Sequence, residues 1–132
     1  MVLQLPIIGI SMGDPAGIGP EITAKALAEE SVYRICRPLV TGDASAMEQA
    51  VRIAKVKLDI RPIEQAADAK FKYGTIDVID LKNVDMNSLI HGKVSAMAGN
   101  SAFEAVRKVI ELAMADEIDA TVTGPINKKA MN

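Results

Sequence analysis

Two short segments of the chain combine glycine, proline and polar or charged residues in the way that ligand-binding loops do. The first segment is SMGDPAGIGPE, residues 11–21, with Asp14 near its start and Glu21 at its end. The second segment is TGPINKK, residues 123–129, which contains one asparagine and two lysines. Because the first segment is acidic and the second is basic, the two should favour different chemical groups of a ligand.

The glycines of the first segment do not match either common phosphate-binding fingerprint. A dinucleotide loop that began with Gly17 and Gly19 would need a third glycine where Ile22 stands, and no Gly-Lys-Ser/Thr sequence is present. A helix that begins after Gly19 would offer unpaired N–H groups, but Glu21 in its first turn would repel a phosphate. The segment therefore suits hydroxyl groups, an amide or a cation. The alternative is a tight turn between a strand and a helix, in which the glycines adopt positive φ and Glu21 stabilises the helix.

The second segment has the composition of an anion site. Thr123 should end a strand and Pro125 can open a helix, so Asn127 and Lys128 would lie near a helix N-terminus. An anionic group of a substrate fits that position. The alternative, which applies above all to Lys129, is a solvated pair of lysines on an ordinary connection between a strand and a helix.

The remaining candidates are single residues without partners in the sequence. Cys36 lies beside the strand-like residues PLV and is interpreted as a small buried apolar side chain. His91 has no second histidine or cysteine nearby, so we interpret it as a loop residue and expect no metal site built from this chain alone. Asp14 and Asp43 could each bind a metal, but their spacing matches no known ligand pattern.

Composition excludes several classes of function. The chain has 132 residues, 49% of them apolar, which is enough for one domain with a core. Its net charge of -2, with acidic and basic residues interspersed, leaves no basic stripe for nucleic acid, and its aromatic content is only 3%. No apolar run approaches the roughly 20 residues that a membrane span requires. We therefore expect a cytoplasmic protein with neither a nucleic-acid nor a membrane partner.

Apolar runs alternate with helical periodicity along the chain. Strands are predicted in PIIGISM, RPLVTGD, VKLDIRPI, YGTIDVIDL and IDATVTGP, the third of them near a sheet edge because of its proline. Helices are predicted after Pro20, over residues 44–55 and over residues 95–117. Their apolar faces are Ile22, Ala26 and Leu27 in the first, Met47, Ala50, Val51 and Ala54 in the second, and Phe103, Val106, Ile110, Ala113 and Met114 in the third. This alternation predicts a layered α/β/α fold with a largely parallel sheet.

A parallel sheet would bring the polar turns together. Three of them follow predicted strands: MGDPAG, the TGD of residues 41–43, and TGPINKK. Because the carboxyl ends of parallel strands lie at one edge of a sheet, we expect these turns to share a ligand-binding edge.

The sequences ISMGDPAGIGPEI and VTGPINKKAMN together resemble the 4-hydroxythreonine-4-phosphate dehydrogenase family of vitamin B6 biosynthesis. They are also similar to its paralogues, which oxidise four-carbon sugar acids phosphorylated at the fourth carbon, such as 4-phosphoerythronate and threonate 4-phosphate. The resemblance implies an NAD-dependent oxidation by a homodimer with a two-domain α/β fold like that of isocitrate and isopropylmalate dehydrogenases. It also implies a divalent metal, which could be zinc, magnesium or cobalt. Such enzymes bind the dinucleotide without a Rossmann domain, which would explain the missing fingerprint.

By the same resemblance, Asp14, Thr123, Asn127 and Lys128 would form walls of the substrate cleft, with no catalytic group among residues 1–132. The family pattern continues with a Gly-His-Thr-Glu segment and, much later, three metal-binding histidines, which residues 1–132 do not contain. We therefore expect residues 1–132, with no internal domain boundary, to be the N-terminal portion of such an enzyme. Alone, this portion should be inactive, and it should associate or be marginally stable because the third helix would expose apolar residues. A stand-alone α/β module that binds a small phosphorylated metabolite is the alternative.

Overall fold

The sheet is parallel throughout. The computed structural model describes residues 4–125 of the chain. Its five strands are β1 (Ile7–Ser11), β2 (Arg37–Gly42), β3 (Asp59–Ile63), β4 (Thr75–Asp80) and β5 (Ala120–Thr123). They form a single sheet in the order β3-β4-β2-β1-β5, and all four pairs of neighbours are parallel. The predicted strands and their parallel arrangement are confirmed.

Helices cover both faces of this sheet. They are α1 (Gly19–Leu27), α2 (Glu30–Ile35), α3 (Ala44–Ala54) and α4 (Ala96–Met114), with a single 3₁₀ turn at Ala66–Asp68. The sequence did not predict α2, because its six residues, none of them buried, are too few for an apolar period to be recognised.

The alternation of buried side chains along β2 explains the layers. Val40 packs in one apolar cluster with Leu27 of α1 and Met47 of α3. Leu39, its neighbour in sequence, packs in a second cluster on the opposite face with Val109 of α4. Because successive residues of a strand point to opposite faces, a strand that is apolar at both positions requires cover on both sides. The predicted α/β/α layering is confirmed.

Two helices bury a different side from the one that their largest apolar residues suggested. In α1 the buried residues include Thr23, Ala24 and Leu27, whereas Ile22 is 47% exposed. The α4 helix faces the sheet with small residues and two larger ones: Ala98, Ala102, Ala105, Val109 and Leu112. The predicted α4 residues Phe103, Ile110 and Met114 are exposed instead, because alanines let the helix approach the sheet closely.

The edges of the sheet differ in character. The β3 strand pairs only with β4 and contains Pro62, which an edge strand tolerates because its missing N–H can face away from the neighbour. The β5 strand pairs only with β1 among the described strands, and all four of its residues are exposed. No helix within residues 4–125 is both long and apolar enough to cross a membrane.

Candidate substrate-binding rim

The carboxyl ends of β1, β2 and β5 meet at one edge of the sheet, which we call the rim. Ser11, the last residue of β1, lies opposite Thr41 of β2 and Thr123 of β5. Beyond these strand ends, the Met12 N–H donates to the Thr41 carbonyl at 3.0 Å and the Gly124 N–H donates to the Ser11 carbonyl at 3.0 Å. The predicted convergence of the three turns is confirmed as far as Pro125.

Asp14 shapes the first loop from within. Its side chain is buried, and its Oδ1 accepts a 2.8 Å hydrogen bond from the Ala16 N–H. Its backbone N–H donates to the Pro125 carbonyl at 2.9 Å. One carboxylate oxygen is therefore occupied in holding the turn, and the backbone ties that turn to the end of β5.

Two glycines of the first loop, Gly13 and Gly19, allow close backbone packing, whereas a Cβ on Gly17 would make only ordinary contacts. Gly13 has φ of +83°, and a Cβ there would lie 2.5 Å from the Pro125 carbonyl oxygen. Gly19 has no such φ, but a Cβ on it would lie 2.5 Å from the Met12 carbonyl oxygen. Of the three glycines in this loop, only Gly13 has positive φ. Gly19 is required because a side chain there would clash with the backbone of Met12.

Pro20 and Glu21 lie in the first turn of α1, as predicted. The carboxylate of Glu21 complements the positive end of that helix, which leaves it less suited to an anion than an uncompensated helix N-terminus. The tight-turn interpretation and the ligand-loop interpretation are thus compatible, because the turn is what brings the loop to the rim.

Of the predicted substrate-binding residues, Asp14 and Thr123 lie at the rim. Thr123 is exposed at the end of β5, beside Ser11. Asn127 and Lys128 lie outside the described residues, as does Lys129. The electrostatic contrast between the two loops therefore stays a prediction.

The carboxylate of Asp43, which the sequence offered as a possible metal ligand, accepts hydrogen bonds from backbone N–H groups. It is the N-cap of α3, where its Oδ1 accepts from the Ala46 N–H at 3.0 Å. Its Oδ2 accepts from the Val84 N–H at 3.1 Å, which joins the end of β2 to the chain beyond β4. Both carboxylate oxygens of this buried residue are used in this way.

Sequence reasoning missed Asp80 and Met12. Asp80 ends β4, and its Oδ1 accepts from the backbone N–H groups of Ala44 and Lys82, each at 3.1 Å. Asp80 could have been predicted from the sequence, because it comes at the end of a buried strand, as Asp43 does. Met12 is fully buried, and its Sδ accepts from the Asp43 N–H at 3.4 Å. A methionine is usually interpreted as an apolar filler, so nothing in the sequence pointed to this contact.

Residues 81–95, which we call the rim segment, cross from the end of β4 to the start of α4. The segment contacts the first loop through the Gly92 N–H, which donates to the Ala16 carbonyl at 2.7 Å. It contacts α4 through Asn83, whose Oδ1 accepts from the buried Ser101 hydroxyl at 3.0 Å. The Nδ2 of Asn83 is buried without a partner among the described residues. His91 lies on this segment and is exposed, in agreement with its interpretation as a loop residue.

Cys36 lies away from the rim, immediately before the amino end of β2. Its thiol is half-buried and donates to the Val32 carbonyl at 3.4 Å. Burial raises the pKa of the Cys36 thiol, which disfavours the reactive thiolate. The interpretation of this residue as structural is supported, although its side chain is less buried than expected.

The part of the chain from residue 4 to residue 125 contains no group of three or more histidine, cysteine, aspartate or glutamate side chains that could hold a metal. The aspartates at the rim bind backbone N–H groups, as described for Asp14, Asp43 and Asp80.

Residues 34–132 match the family described as pyridoxal phosphate biosynthetic protein PdxA. A relative from Symbiobacterium thermophilum, which carries the provisional name D-threonate 4-phosphate dehydrogenase, is 51% identical over 96% of this chain and 38% of its own length.

Two solved structures share the fold described above. One is a 4-hydroxythreonine-4-phosphate dehydrogenase from Burkholderia phymatum, with a TM-score of 0.95 and 46% identity over 98% of this chain and 39% of that one. The other, from Klebsiella pneumoniae and of the same name, has a TM-score of 0.87 and 37% identity over 96% of this chain and 39% of that one. The chain thus spans about two fifths of the length of the proteins that it matches.

Proposed function

We propose that this chain, which belongs to the PdxA family of pyridoxal phosphate biosynthetic proteins, forms one wall of the substrate cleft of an NAD-dependent, divalent-metal-dependent dehydrogenase. The observation that carries the proposal is the joining of three polar turns at the rim. The Met12 and Gly124 N–H groups link β1 to the ends of β2 and β5, and the Asp14 N–H bonds to Pro125. Loops outside the carboxyl ends of parallel strands are the usual place for a ligand in an open α/β sheet.

The proposed substrate is a four-carbon hydroxy or amino acid with a phosphate on its fourth carbon. Relatives and structural neighbours are named for D-threonate 4-phosphate and for 4-hydroxythreonine 4-phosphate. The two molecules share a carboxylate, a secondary alcohol and a terminal phosphate. We favour 4-hydroxythreonine 4-phosphate, a substrate in the synthesis of pyridoxal phosphate, and threonate 4-phosphate and 4-phosphoerythronate are the alternative substrates.

The reaction would be the oxidation of the secondary alcohol. The carbon of the alcohol gives a hydride to NAD⁺ and the hydroxyl loses a proton, so the products are a ketone, NADH and H⁺. A β-keto carboxylate formed in this way can then lose carbon dioxide, in which case the electron pair of the broken C–C bond forms an enolate that takes up a proton to give the ketone. The metal that the proposal includes would take ligands from outside residues 4–125, because the described residues contain no group of three or more side chains that could hold it.

The rim would contribute orientation and charge to this chemistry. Asp14 holds the first loop through the Ala16 N–H, while Thr123 at the end of β5 offers a hydroxyl to the substrate. Asn127 and Lys128 would receive an anionic group. Glu21 in the first turn of α1 makes that helix the poorer place for a phosphate. The working enzyme is proposed to be a cytoplasmic homodimer.

The experiment is a spectrophotometric assay of NADH formation by a family-length enzyme that contains this sequence. It is run with each of the two phosphorylated acids, with and without a divalent metal. We expect NADH with at least one acid, and none from the 132-residue chain assayed alone. Absence of NADH from the family-length enzyme with both acids would contradict the proposed function. Turnover by the 132-residue chain that a chelator abolishes would contradict the expectation for that chain.

A further inference from the structure

The rim segment is anchored to the elements on both sides of it. Near its start, the Leu81 N–H donates to the Gly42 carbonyl at 2.8 Å, and the Val84 N–H donates to Asp43 Oδ2 at 3.1 Å. At its end, Ser95 caps α4 by accepting from the Ala98 N–H. Hydrogen bonds thus fix both ends of the rim segment, one at the end of β2 and the other at the start of α4.

Between those anchors, residues 91–93 turn back against the first loop. Gly92 has φ of +79°, and its N–H makes the 2.7 Å bond to the Ala16 carbonyl. A Cβ on Gly92 would meet nothing within 4 Å, so the turn is open on its outer side. His91 and Lys93, which flank this contact, are both exposed. The backbone of two residues whose side chains can donate hydrogen bonds thus lies next to the loop that contains Asp14.

The turn at residues 91–93 carries basic side chains, which the first loop lacks. The first loop and the start of α1 carry Asp14 and Glu21 but no basic residue before Lys25, in the last turn of α1. The first loop therefore supplies no cation to an anionic group of a ligand at the rim, and that charge must come from another segment. In the turn at residues 91–93, His91 and Lys93 flank Gly92, whose N–H bonds to the loop, and both side chains can donate to an anion.

We propose that Lys93 and His91 are recognition residues for an anionic group of the ligand bound at the rim. The inference rests on the proposed function, because it takes the rim to be the ligand site. The proposed substrate carries two anionic ends, so a cation beside the first loop and Lys128 on the TGPINKK segment could each serve one of them. The dinucleotide carries phosphate groups as well, and either molecule would supply the same chemistry.

The test compares Lys93→Gln and His91→Gln with a matched control in the family-length enzyme. Lys57→Gln removes an exposed lysine two residues before β3 begins, at the opposite edge of the sheet. We expect the KM for the phosphorylated acid or for NAD to rise by about two- to fivefold in the Lys93 variant, as for an exposed charged contact. The KM that rises identifies which anion is bound. The kcat and the thermal midpoint should stay unchanged, and Lys57→Gln should leave every constant at the parent value.

Titration calorimetry with the phosphorylated acid and with NAD provides a readout that does not need turnover. If Lys93→Gln and His91→Gln bind both molecules as tightly as the parent does, the recognition role is wrong even though the enzyme makes NADH. The parent enzyme could make no NADH and yet bind either molecule more tightly than Lys93→Gln and His91→Gln do, with Lys57→Gln binding as the parent does. In that case the recognition role stands and the proposed reaction is wrong. A lower thermal midpoint in step with the higher KM would also overturn the inference, because it indicates a structural role.

Discussion

The backbone N–H of Asp14 donates a 2.9 Å hydrogen bond to the carbonyl oxygen of Pro125. This bond joins the loop after the first strand to the loop after the last described strand. It also requires Gly13 to approach Pro125 so closely that no side chain fits between them. The geometry of the rim therefore depends on one glycine and one backbone contact as much as on any polar side chain.

Gly13→Ala should destabilise the protein by about 2–4 kcal/mol, because the new methyl group combines positive φ with a clash against a carbonyl oxygen. Gly74→Ala is the matched control, since Gly74 has φ of +96° but a Cβ there would meet nothing within 4 Å. The control should cost about 1–2 kcal/mol, the conformational term alone. Urea unfolding of both variants measures the difference, and equal losses would show that the contact with Pro125 is unimportant.

Asp43→Ala should cost about 2–3 kcal/mol, more than removal of an ordinary helix cap. The substitution removes the acceptor for the Ala46 N–H and also the acceptor for the Val84 N–H. Ser95→Ala, which removes the cap of α4 alone, should cost about 1 kcal/mol. Asp43→Asn keeps one acceptor oxygen and should fall between the two. Chemical denaturation gives all three values, and similar losses for Asp43→Ala and Ser95→Ala would refute the bridging role.

The stability of the protein should fall as the pH rises from 10 towards 12, partly through Tyr33. Burial, with the nearby negative charge of Asp77 and a contribution from Cys36, raises the pKa of Tyr33 from its ordinary value of 10.0 to about 12. In that interval the unfolded chain has lost the phenolic proton while the folded chain keeps it, so folding becomes less favourable. The folded phenol donates to the Thr75 carbonyl at 3.1 Å.

Tyr33→Phe should weaken this pH dependence, because the variant has no proton to lose at that position. Tyr73→Phe is the control, since its ring packs edge-on against Tyr33 with centroids 5.8 Å apart and its hydroxyl bonds to another carbonyl, that of Ala28. Unfolding free energies measured at several pH values between about 9 and 12, from one unit below the ordinary pKa of tyrosine up to the raised pKa of Tyr33, provide the comparison. A Tyr33→Phe variant with the slope of the parent would contradict the assignment.

The isolated 132-residue chain should associate through the outer face of α4. Ile110 and Met114 are 49% and 83% exposed on successive turns of that helix. Ile110→Lys with Met114→Lys should reduce association at high concentration without disturbing the helix, because lysine is a good helix former. Ile35→Lys, at a position 70% exposed on α2, is the control. Sedimentation measures the outcome, and a monomeric parent at all concentrations would count against the prediction.

In a family-length enzyme, Lys128→Ala should raise the KM for the phosphorylated substrate by the equivalent of about 1–3 kcal/mol, the range for a lost charge-assisted hydrogen bond. Asp14→Ala should instead lower turnover or loosen the first loop, since it frees the Ala16 N–H. Lys129→Ala, whose side chain we interpret as solvated, is the control. An unchanged KM for Lys128→Ala together with a raised KM for Asp14→Ala would mean that the roles of the two loops are reversed.

The sequence by itself determined the architecture and the place where ligand-binding groups gather. Continuous apolar runs such as that of β2 require cover on both faces of the sheet. Because these runs alternate with helical segments along the chain, a parallel sheet with helices on both faces is the arrangement that provides this cover. From a parallel sheet it follows that Asp14, Asp43 and Thr123 lie at one edge. The family also follows from the sequence, because two separated motifs identify it without any coordinates.

Only the tertiary structure decided how those residues are used. Periodicity cannot distinguish which of two apolar faces a helix buries, so the packing of Ala102 and Ala105 of α4 against the sheet, with Phe103 outside, emerged only from the fold. The same holds for contacts between distant segments, such as those of Met12 Sδ with the Asp43 N–H and of Gly92 with Ala16. Such contacts depend on the distance between backbones that are far apart in sequence, and no local pattern of residue types records that distance.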